Sequence, residues 1–516
     1  MNWFAKDCSI AVLALFLLVP AFAAGSDGRA SVRIGSSGFQ ANGFSQLPAI
    51  SEDGRFVAFE SFASNLVAHD TNRSVDIFVR DRLVGRTTRV SVSDRGTQGN
   101  ARSHGASISD DGRFVAFSSS ATNLVSGDSN GVDDVFVHDR TTRRTTRVSL
   151  SGDGMEGNQR SDMAQISADG RVVAFDSHAS NLVAGDRNED VDVYVRELQS
   201  GVTSRVSVSS TGGEGAGWAP ALSSDGRLIA FRSAASLVPE DSNGFDDVYL
   251  HDRETHVTTR VSVSSDGAQA NSRSDAGVPA ISGNGSFVIF GSFAWNLVPG
   301  DVNQTSDAFV HNVQTKETSF ASATMQGAQA DGSSYTHSDS ISRDGRYLAF
   351  TSGATNLAAG DTNGILDVFV YDQLSGERTR VSVATGGGQA NAVSAGPALN
   401  GDGHFVAFTS IASNLVPRDT NKRDDVFVHD RLTGETTRVS VANLDAQCRV
   451  PRLIGLTLRK ARARIVGANC SSGHIRSVRS SWRRGRVLRQ KPKAGKLIVG
   501  RGDVDLVISR GRPPSR

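Results

Sequence analysis

One segment is repeated seven times along this chain, and this repeat constrains the fold more than any other feature. Each copy contains a short apolar run, an Asp-Gly step, a run such as Arg-Phe-Val-Ala-Phe, an Asn-Leu-Val loop ending in Asp-x-Asn, and two runs related to Asp-Val-Phe-Val and Thr-Arg-Val-Ser-Val. Counted from the Asp-Gly step, the copies begin at Asp53, Asp111, Asp169, Asp225, Asn284, Asp344 and Asp402. Four strand-like runs in a period of 56 to 60 residues are typical of a propeller blade. The sequence therefore predicts an all-β fold, a seven-bladed β-propeller of four-stranded blades.

The runs within one copy indicate where each strand lies in its blade. In the second copy, residues 114–117 and 135–137 are apolar at successive positions, as expected of strands buried on both faces. Residues 147–150 alternate polar and apolar, which suits an outermost strand with one wet face. In this order, the long loop after the second strand and the connection between blades open on the same face. We expect that face to bind partners, because its loops can vary while the strands hold them.

The repeats also resemble a known family. Residues 49–59 read AISEDGRFVAF and residues 76–81 read DIFVRD, and this pattern is similar to the TolB-type (WD-repeat-like) propeller repeat over residues 31–442. The resemblance implies the propeller fold and a role in protein recognition or in screening the entrance of a peptidase, and fold alone does not fix function. Four bulky residues near the loop face replace small residues of other copies, and they either form a recognition patch or fill local gaps: Trp218, Trp295, Met325 and Tyr335.

The amino-terminal residues have the features of a secretory signal. An apolar run of about 13 residues precedes small residues at 21–23, so we expect a signal peptide over residues 1–23, cleaved after Ala23. An uncleaved anchor is the alternative, although the run is short for a bilayer-spanning helix. No later segment is apolar enough to span a membrane. The mature protein is therefore expected to be secreted or extracytoplasmic.

Charge divides the chain into two parts. Residues 445–516 hold 19 Lys and Arg against 3 Asp and Glu, a net charge of +16 in a chain whose total is +1, so the preceding residues sum to −15. The basic part suggests an anionic partner, with a merely solvated surface as the alternative. Cys448 and Cys470 both fall in this part, and an exported protein would be expected to join them in a disulfide bond.

The basic part itself is predicted to be a small α+β module. Leu458, Ala461 and Ile465 fall on one face of a helix that ends near Gly467, and strands are expected near residues 475–478, 487–490 and 504–508. The motifs at 450–455 (VPRLIG), 468–470 (ANC) and 490–495 (QKPKAG) resemble a PASTA domain over residues 447–511. That resemblance implies a bacterial, wall-facing module that binds peptidoglycan or acts as a spacer. Residues 512–516 are expected to form a disordered tail.

One polar pattern recurs in every copy, Asp-x-Asn-x-x-x-Asp. Oxygen ligands at positions one, three and seven resemble the first half of a calcium loop, but the bidentate acid at position twelve is missing. The alternative is a turn in which Asp and Asn side chains bond their own backbone. The calcium candidates are Asp70, Asn72, Asp76, Asp128, Asn130, Asp134, Asp361, Asn363 and Asp367.

No catalytic constellation is evident in the sequence. Residues 127–131 match Gly-x-Ser-x-Gly in letters, but the equivalent loop of the sixth copy has Thr362 in place of Ser129 and no helix follows. Histidines recur at one position after the third strand, at His138, His251, His311 and His429, where they are expected to be variants of a surface residue. We therefore expect no enzyme, no catalytic residues and no cofactor other than possible calcium.

These observations predict a secreted, noncatalytic bacterial envelope protein. Its propeller would bind a protein or a glycan, and its PASTA domain would bind peptidoglycan or another anionic wall polymer. Nothing indicates a nucleic acid partner, and the ligand-binding residues are not evident. Two alternatives stay open: a hydrolase acting on wall or extracellular polysaccharide at the propeller mouth, which a close pair of non-repeated carboxylates would favour, and a calcium-stabilised adhesin.

Overall fold

The computed structural model describes residues 39–443, 448–468, 470–498 and 503–511. After a short strand β1 (Phe39–Gln40), seven antiparallel sheets of four strands follow one another along the described chain. Blade one has β2 (Ser45–Ile50), β3 (Phe56–Ser61), β4 (Asp76–Asp81) and β5 (Arg86–Arg89). Blade two has β6 (Ser103–Ile108), β7 (Phe114–Ser119), β8 (Asp134–Asp139) and β9 (Arg144–Arg147).

The remaining blades repeat this order. Blade three has β10 (Ser161–Ile166), β11 (Val172–Ser177), β12 (Asp192–Glu197) and β13 (Thr203–Arg205). Blade four has β14 (Trp218–Leu222), β15 (Leu228–Ser233), β16 (Asp247–Asp252) and β17 (Val257–Arg260). Blade five has β18 (Ala280–Ile281), β19 (Phe287–Ser292), β20 (Asp307–Asn312) and β21 (Thr318–Phe320). Blade six has β22 (Ser334–Tyr335), β23 (Tyr347–Ser352), β24 (Asp367–Asp372) and β25 (Arg378–Arg380). Blade seven has β26 (Ser394–Leu399), β27 (Phe405–Ser410), β28 (Asp425–Asp430) and β29 (Glu435–Arg438).

The middle strands of each blade form its core, as the apolar runs predict. In blade one, β3 and β4 are buried almost throughout, and Phe59 lies opposite Phe78 with ring centroids 6.0 Å apart. Equivalent aromatic pairs stack in the other six blades. Because each pair is also covered by the adjacent blade, both faces of the middle strands are removed from water, which is the main driving force for the fold. The outer strand β5 is partly exposed, as predicted.

The Asp-Gly turn joins the first two strands of a blade and packs against its neighbour. In blade one, Asp53 accepts hydrogen bonds from the Ser51 hydroxyl and the Arg55 amide at 2.8 and 2.9 Å. Gly54 has φ of +70°, and a Cβ there would lie 2.2 Å from the Phe405 ring of blade seven. Only glycine satisfies both the turn and this close approach.

The ring is closed by the residues that precede blade one. Strand β1 pairs with β30 (Val441–Ala442), with Gln40 opposite Val441. The equivalent pair occurs at the connections between other blades, for example Val92 with Gln98. Residues 39–42 therefore take the place of the inter-blade connection between blade seven and blade one. All four strands of blade seven come from its own repeat, and residues 31–38 lie outside the described part.

The carboxyl-terminal module contains one helix and two small sheets. Strand β31 (Cys448–Arg449) pairs with β34 (Leu497–Ile498), and β35 (Asp503–Ser509) lies between β32 (Ser471–Val478), to which it is parallel, and β33 (Val487–Lys491). Helix α1 (Leu458–Gly467) places Ala461 and Ile465 in a core with Val487, Val504 and Leu506, as the sequence predicts. The α+β character is confirmed, and the PASTA identity stays a prediction.

Two predictions concern residues outside the described ranges: the signal peptide over residues 1–23 and the tail over residues 512–516. Among the helices that are described, none is long and apolar enough to cross a membrane.

Candidate functional site

The first strands of the seven blades surround a central channel. It contains a cavity of about 110 Å³. One aliphatic side chain from each blade lines it, at Ile50, Ile108, Ile166, Leu222, Ile281, Ile341 and Leu399. We call the end with the Asp-Gly turns the turn face. The other end, with the connections between blades and the loops after each second strand, is the loop face. Hydrogen bonds such as Asn65 Nδ2 to Gln40 O at 2.9 Å join these two kinds of loop, so they share one face as predicted.

A ring of backbone hydrogen bonds closes the channel wall at the turn face. In six blades, the backbone amide of the residue before the Asp-Gly step donates a hydrogen bond to a backbone carbonyl of the following blade. In blade five the donor is the next residue, Asn284. The bonds run from Glu52 to Asp110 (3.1 Å), Asp110 to Ala168 (3.0 Å), Ala168 to Ser224 (3.0 Å), Ser224 to Gly283 (2.9 Å), Asn284 to Arg343 (2.9 Å), Arg343 to Gly401 (2.8 Å) and Gly401 to Glu52 (3.3 Å). This ring brings one variable repeat position from all seven blades to the channel mouth.

Three of these variable residues are charged and meet across the mouth. Arg343 of blade six places Nε 3.1 Å from Glu52 Oε1 of blade one, and its Nη2 contacts the Asp110 carboxylate of blade two. Room for Glu52 depends on Gly401, where a Cβ would lie 1.7 Å from the Glu52 carboxylate. Glu52 and Asp110 are thus non-repeated carboxylates that share one guanidinium, a pair that sequence inspection missed.

The loop-face end of the channel carries a larger set of non-repeated polar residues. They occupy the second position of the first strand and the fifth position of the second strand. Glu60 accepts hydrogen bonds from Gln46 Nε2 at 2.8 Å and from the Gly105 amide of the next blade at 3.2 Å. His104 Nε2 of blade two lies 3.1 Å from Asp162 Oδ1 of blade three. Non-repeated residues therefore form polar contacts across these blade boundaries.

Blade three contains two carboxyl groups with opposite pKa displacements. Asp162 and Asp176 face each other on β10 and β11, and both are buried. Burial raises the pKa of Asp162, but the hydrogen bond and charge of His104 outweigh it and hold that pKa below the ordinary value. Burial raises the pKa of Asp176 to about 7, with a hydrogen bond from the Ala219 amide opposing the shift and the Asp162 charge adding to it. Two neighbouring carboxyl groups, one with a lowered and one with a raised pKa, are an arrangement that acid and base catalysis can use.

Blades four to six complete this end of the channel. Arg232 lies over the Trp218 ring at 5.5 Å, 3.1 Å from Asp246 and 4.0 Å from Asp275. In blade six, Asp339 takes a position where other blades have proline or alanine, and burial raises its pKa to about 6.

The bulky residues singled out from the sequence separate into two groups. Trp218 and Tyr335 are half-buried, and Trp218 packs against Arg232. Trp295 is 54% exposed and Met325 is 61% exposed. Gap filling therefore does not account for Trp295 or Met325.

In every blade except blade five, an arginine of the fourth strand lies close to the first aspartate of the Asp-x-Asn loop. In blade one, Arg89 Nη1 lies 3.3 Å from Asp70 and 3.1 Å from Asp76. Asn72 donates through Nδ2 to Asp76 at 2.9 Å and accepts the Ser74 amide through Oδ1 at 3.2 Å, so its oxygen already holds the turn.

The other calcium candidates have the same environment. Arg147 lies 3.7 Å from Asp128 and 3.1 Å from Asp134 in blade two. The equivalent asparagines donate to the second aspartate of their loops, Asn130 to Asp134 at 3.1 Å and Asn363 to Asp367 at 3.0 Å, and Arg380 lies 3.2 Å from Asp361. Within the described ranges, no three His, Cys, Asp or Glu side chains are grouped as metal ligands. The geometry favours the turn interpretation, and calcium binding stays an untested prediction.

The recurrent histidines lie inside the blades. His138 is 4% exposed, and its Nδ1 is 2.8 Å from Thr145 Oγ1. His251, His311 and His429 make the same contact with a threonine of the fourth strand. Burial lowers the pKa of all four to about 4. The expectation of a surface position is wrong, because the facing threonine provides a buried hydrogen-bond partner.

The predicted disulfide concerns the carboxyl-terminal module. Cys470 belongs to its core, whereas the side chain of Cys448 lies outside what the structure describes. The Cys448–Cys470 bond stays a prediction.

Of the three comparisons with known proteins, the one with solved structures found proteins similar to this chain. No protein-family model and no curated protein matches the sequence. A putative TolB from Agrobacterium tumefaciens is 18% identical, with coverage of 54% of this chain and 80% of that one and a TM-score of 0.34. The propeller domain of the trilobed protease from Pyrococcus furiosus is 12% identical over 78% of this chain and 99% of that one, with a TM-score of 0.46. A prolyl endopeptidase is 11% identical over 92% of this chain and 62% of that one, with a TM-score of 0.47.

These similarities agree with the propeller seen in the sheets, and they correct one prediction. An acylaminoacyl peptidase and an oligogalacturonate lyase are also among the similar structures, each at 11% identity. The prediction that this chain is not an enzyme is therefore wrong as an inference from its fold, because enzymes are built with the same type of propeller. At such low identity the comparison shows the fold alone.

Proposed function

We propose that this chain is an extracytoplasmic protein of the bacterial envelope that binds a protein or a glycan at the loop face of its propeller. The observation that carries the proposal is the set of non-repeated residues at that end of the channel. At the fifth position of the second strand, three blades have the charged residues Glu60, Asp176 and Arg232, whereas the other blades have Ser118, Gly291, Thr351 and Thr409 in a scaffold that is otherwise repeated. Residues needed only for folding would be expected to recur in every blade, whereas a binding surface requires differences among blades.

The carboxyl-terminal module is proposed to attach the protein to peptidoglycan or another anionic wall polymer. Arg459, Lys460 and Arg462 of α1 are exposed, and so are basic residues of the sheet side at Arg476, Arg479, Arg489 and Lys491. Positive charge on both sides of so small a module supports attraction to a polyanion. The PASTA-like motifs support a wall polymer as that polyanion.

Cosedimentation with purified peptidoglycan sacculi tests wall attachment. The mature protein is compared with a variant in which Arg459, Lys460 and Arg462 are replaced by glutamine, each at low and at high salt. Retention that survives high salt and is lost in the variant supports a specific wall contact, because exposed charge pairs alone are screened. Absence of retention at either salt concentration would reject wall attachment.

A second candidate function is hydrolysis of wall or extracellular polysaccharide in the channel. The Asp162 and Asp176 pair favours it, because glycoside hydrolases use two carboxyl groups of which one is protonated at neutral pH. Release of reducing ends from sacculi or from the organism's exopolysaccharide by the wild-type protein, abolished in Asp176→Asn, would support this function. Equal release by wild type and variant would reject this site as its origin.

A further inference from the structure

Blade five lacks a hydrogen bond that other blades make between their loops. In blades one and two, the asparagine of the inter-blade connection donates Nδ2 to a hydroxyl of the following loop, Asn42 to Ser64 at 3.1 Å and Asn100 to Thr122 at 3.0 Å. Blades three and seven repeat the bond, Asn158 to Ser180 and Asn391 to Ser413, both at 3.0 Å. Blade five has Trp295 at the hydroxyl position.

The turn around Trp295 is kept without the hydroxyl. The Trp295 amide donates to Asn271 Oδ1 at 3.1 Å, as the corresponding amide does in blade one. The Trp295 residue is 54% exposed. The tryptophan therefore replaces a satisfied polar group by a largely exposed aromatic surface, and neither the loop bond nor core packing accounts for it.

A cavity of about 640 Å³ adjoins the indole. This volume lies within the range of about 300–1,000 Å³ that is usual for small-ligand sites. Its lining consists of Ser272, Arg273, Phe293, Trp295, Asp301, Val302 and Gln304. The cavity thus combines an aromatic surface with hydroxyl, guanidinium, carboxylate and amide groups.

The polar groups of the lining are held in place. The Arg273 guanidinium stacks on the Phe293 ring at 4.6 Å, and its Nε lies 3.3 Å from Asp275. Asp301 accepts a hydrogen bond from Gln329 Nε2. Blade five has Phe320 where the other blades have an arginine, so in the described residues no ion pair involves Asp301. The Asp301 carboxylate is therefore a hydrogen-bond acceptor that lacks the arginine partner of the other blades.

We infer that this cavity binds a pyranose ring of an N-acetylated amino-sugar glycan, with the ring stacked on Trp295. The apolar C–H face of a pyranose suits an indole, and its hydroxyl and amide groups suit planar donors and acceptors such as Arg273 and Gln304. A purely apolar protein segment would leave these polar groups unpaired at a cost. The site is separate from the channel, and it rests on the proposed function, because Trp295 lies in the loop after the second strand of blade five and therefore on the loop face. It does not depend on wall attachment by the carboxyl-terminal module.

Titration calorimetry of the full mature chain with two soluble probes tests the site. The probes are chitotetraose and the fragments that a muramidase releases from peptidoglycan. We expect Trp295→Ser to weaken binding of at least one probe by tenfold or more, and Trp295→Tyr to retain most of it. Serine is the residue of three other blades, so the variant is expected to keep or raise the melting temperature by regaining the bond from Asn271. Met325→Ala, which changes another exposed apolar residue outside the cavity, is the matched control.

Three results would overturn the inference. They are no heat with either probe, equal affinity of wild type and Trp295→Ser, or an equal loss of affinity in Met325→Ala. Loss of association with a protein partner in Trp295→Ser, without any sugar binding by the wild type, would assign the surface to a protein instead. Failure of sacculi retention leaves these outcomes unaffected, so the two proposals can be distinguished.

Discussion

Replacing Arg147 by phenylalanine tests whether an arginine stabilises each Asp-x-Asn loop. Its Nη1 lies 3.1 Å from Asp134 and 2.6 Å from Glu156, and 3.7 Å from Asp128. The side chains of Arg147, Asp134 and Asp128 are 8%, 0% and 3% exposed. Removing one partner of a buried ion pair costs about 3–5 kcal/mol, because it leaves an uncompensated charge. We expect Arg147→Phe to lower the free energy of unfolding by about this amount.

Blade four provides a matched control for this substitution. Blade five already has phenylalanine at the arginine position, and Gln329 there hydrogen bonds to both Asp301 and Asp307. Blade four has Arg260 with a glutamine, Gln269, at the position of Gln329. Arg260→Phe therefore recreates the blade-five loop, whereas Arg147→Phe leaves Glu156 beside two aspartates.

Urea unfolding of both variants at pH 8 and pH 5 distinguishes the two loops. Arg147→Phe is expected to lose clearly more stability than Arg260→Phe at pH 8. Burial already raises the pKa of Asp134 and of Asp128, so removal of the arginine should let these groups take up protons, and the deficit should shrink at pH 5. Equal losses in the two variants, or a loss independent of pH, would refute this account of the loops.

Three further predictions concern other parts of the propeller. Arg343→Met should change the free energy of unfolding by about 0–1 kcal/mol in thermal or urea unfolding, because its ion pairs at the turn face are half-exposed; a loss of several kcal/mol would show that this contact holds the ring together. Asp176→Asn should flatten the pH dependence of the free energy of unfolding. Because the pKa of Asp176 is raised to about 7 in the folded protein, the wild type loses stability as pH rises from about 4 to about 7. An unchanged pH profile in the variant would contradict this. EDTA should leave the melting temperature of the mature protein unchanged, because arginine lies among the loop carboxylates; a large drop that calcium restores would support a calcium-stabilised adhesin instead.

The propeller could be predicted because its physical requirements recur in every copy. The buried runs around Phe59 and Phe78, and the Asp-Gly turn at Gly54, each appear seven times with small changes, so periodicity alone locates strands and turns. The order of the strands within a blade was enough to predict that the long loops and the inter-blade connections lie on one face. The carboxyl-terminal helix followed from the spacing of Leu458, Ala461 and Ile465.

The channel residues could not be predicted in the same way. Glu52 and Arg343 are separated by five repeats, and only closure of the ring brings them together. The available signal was variation at one repeat position, before the Asp-Gly step, where three blades have a charged residue and four have a small one. The histidines were misjudged for a related reason, since the burial of His138 depends on Thr145 of the neighbouring strand rather than on its own position after an apolar run.

Hydrogen exchange of the full mature chain, with and without soluble peptidoglycan fragments, tests the central claim most directly. The proposed function predicts added protection at the loop face, in the segments that lead into β6, β10 and β14, together with protection in the carboxyl-terminal module. Protection confined to the carboxyl-terminal module or to the turn face would contradict binding at the loop face.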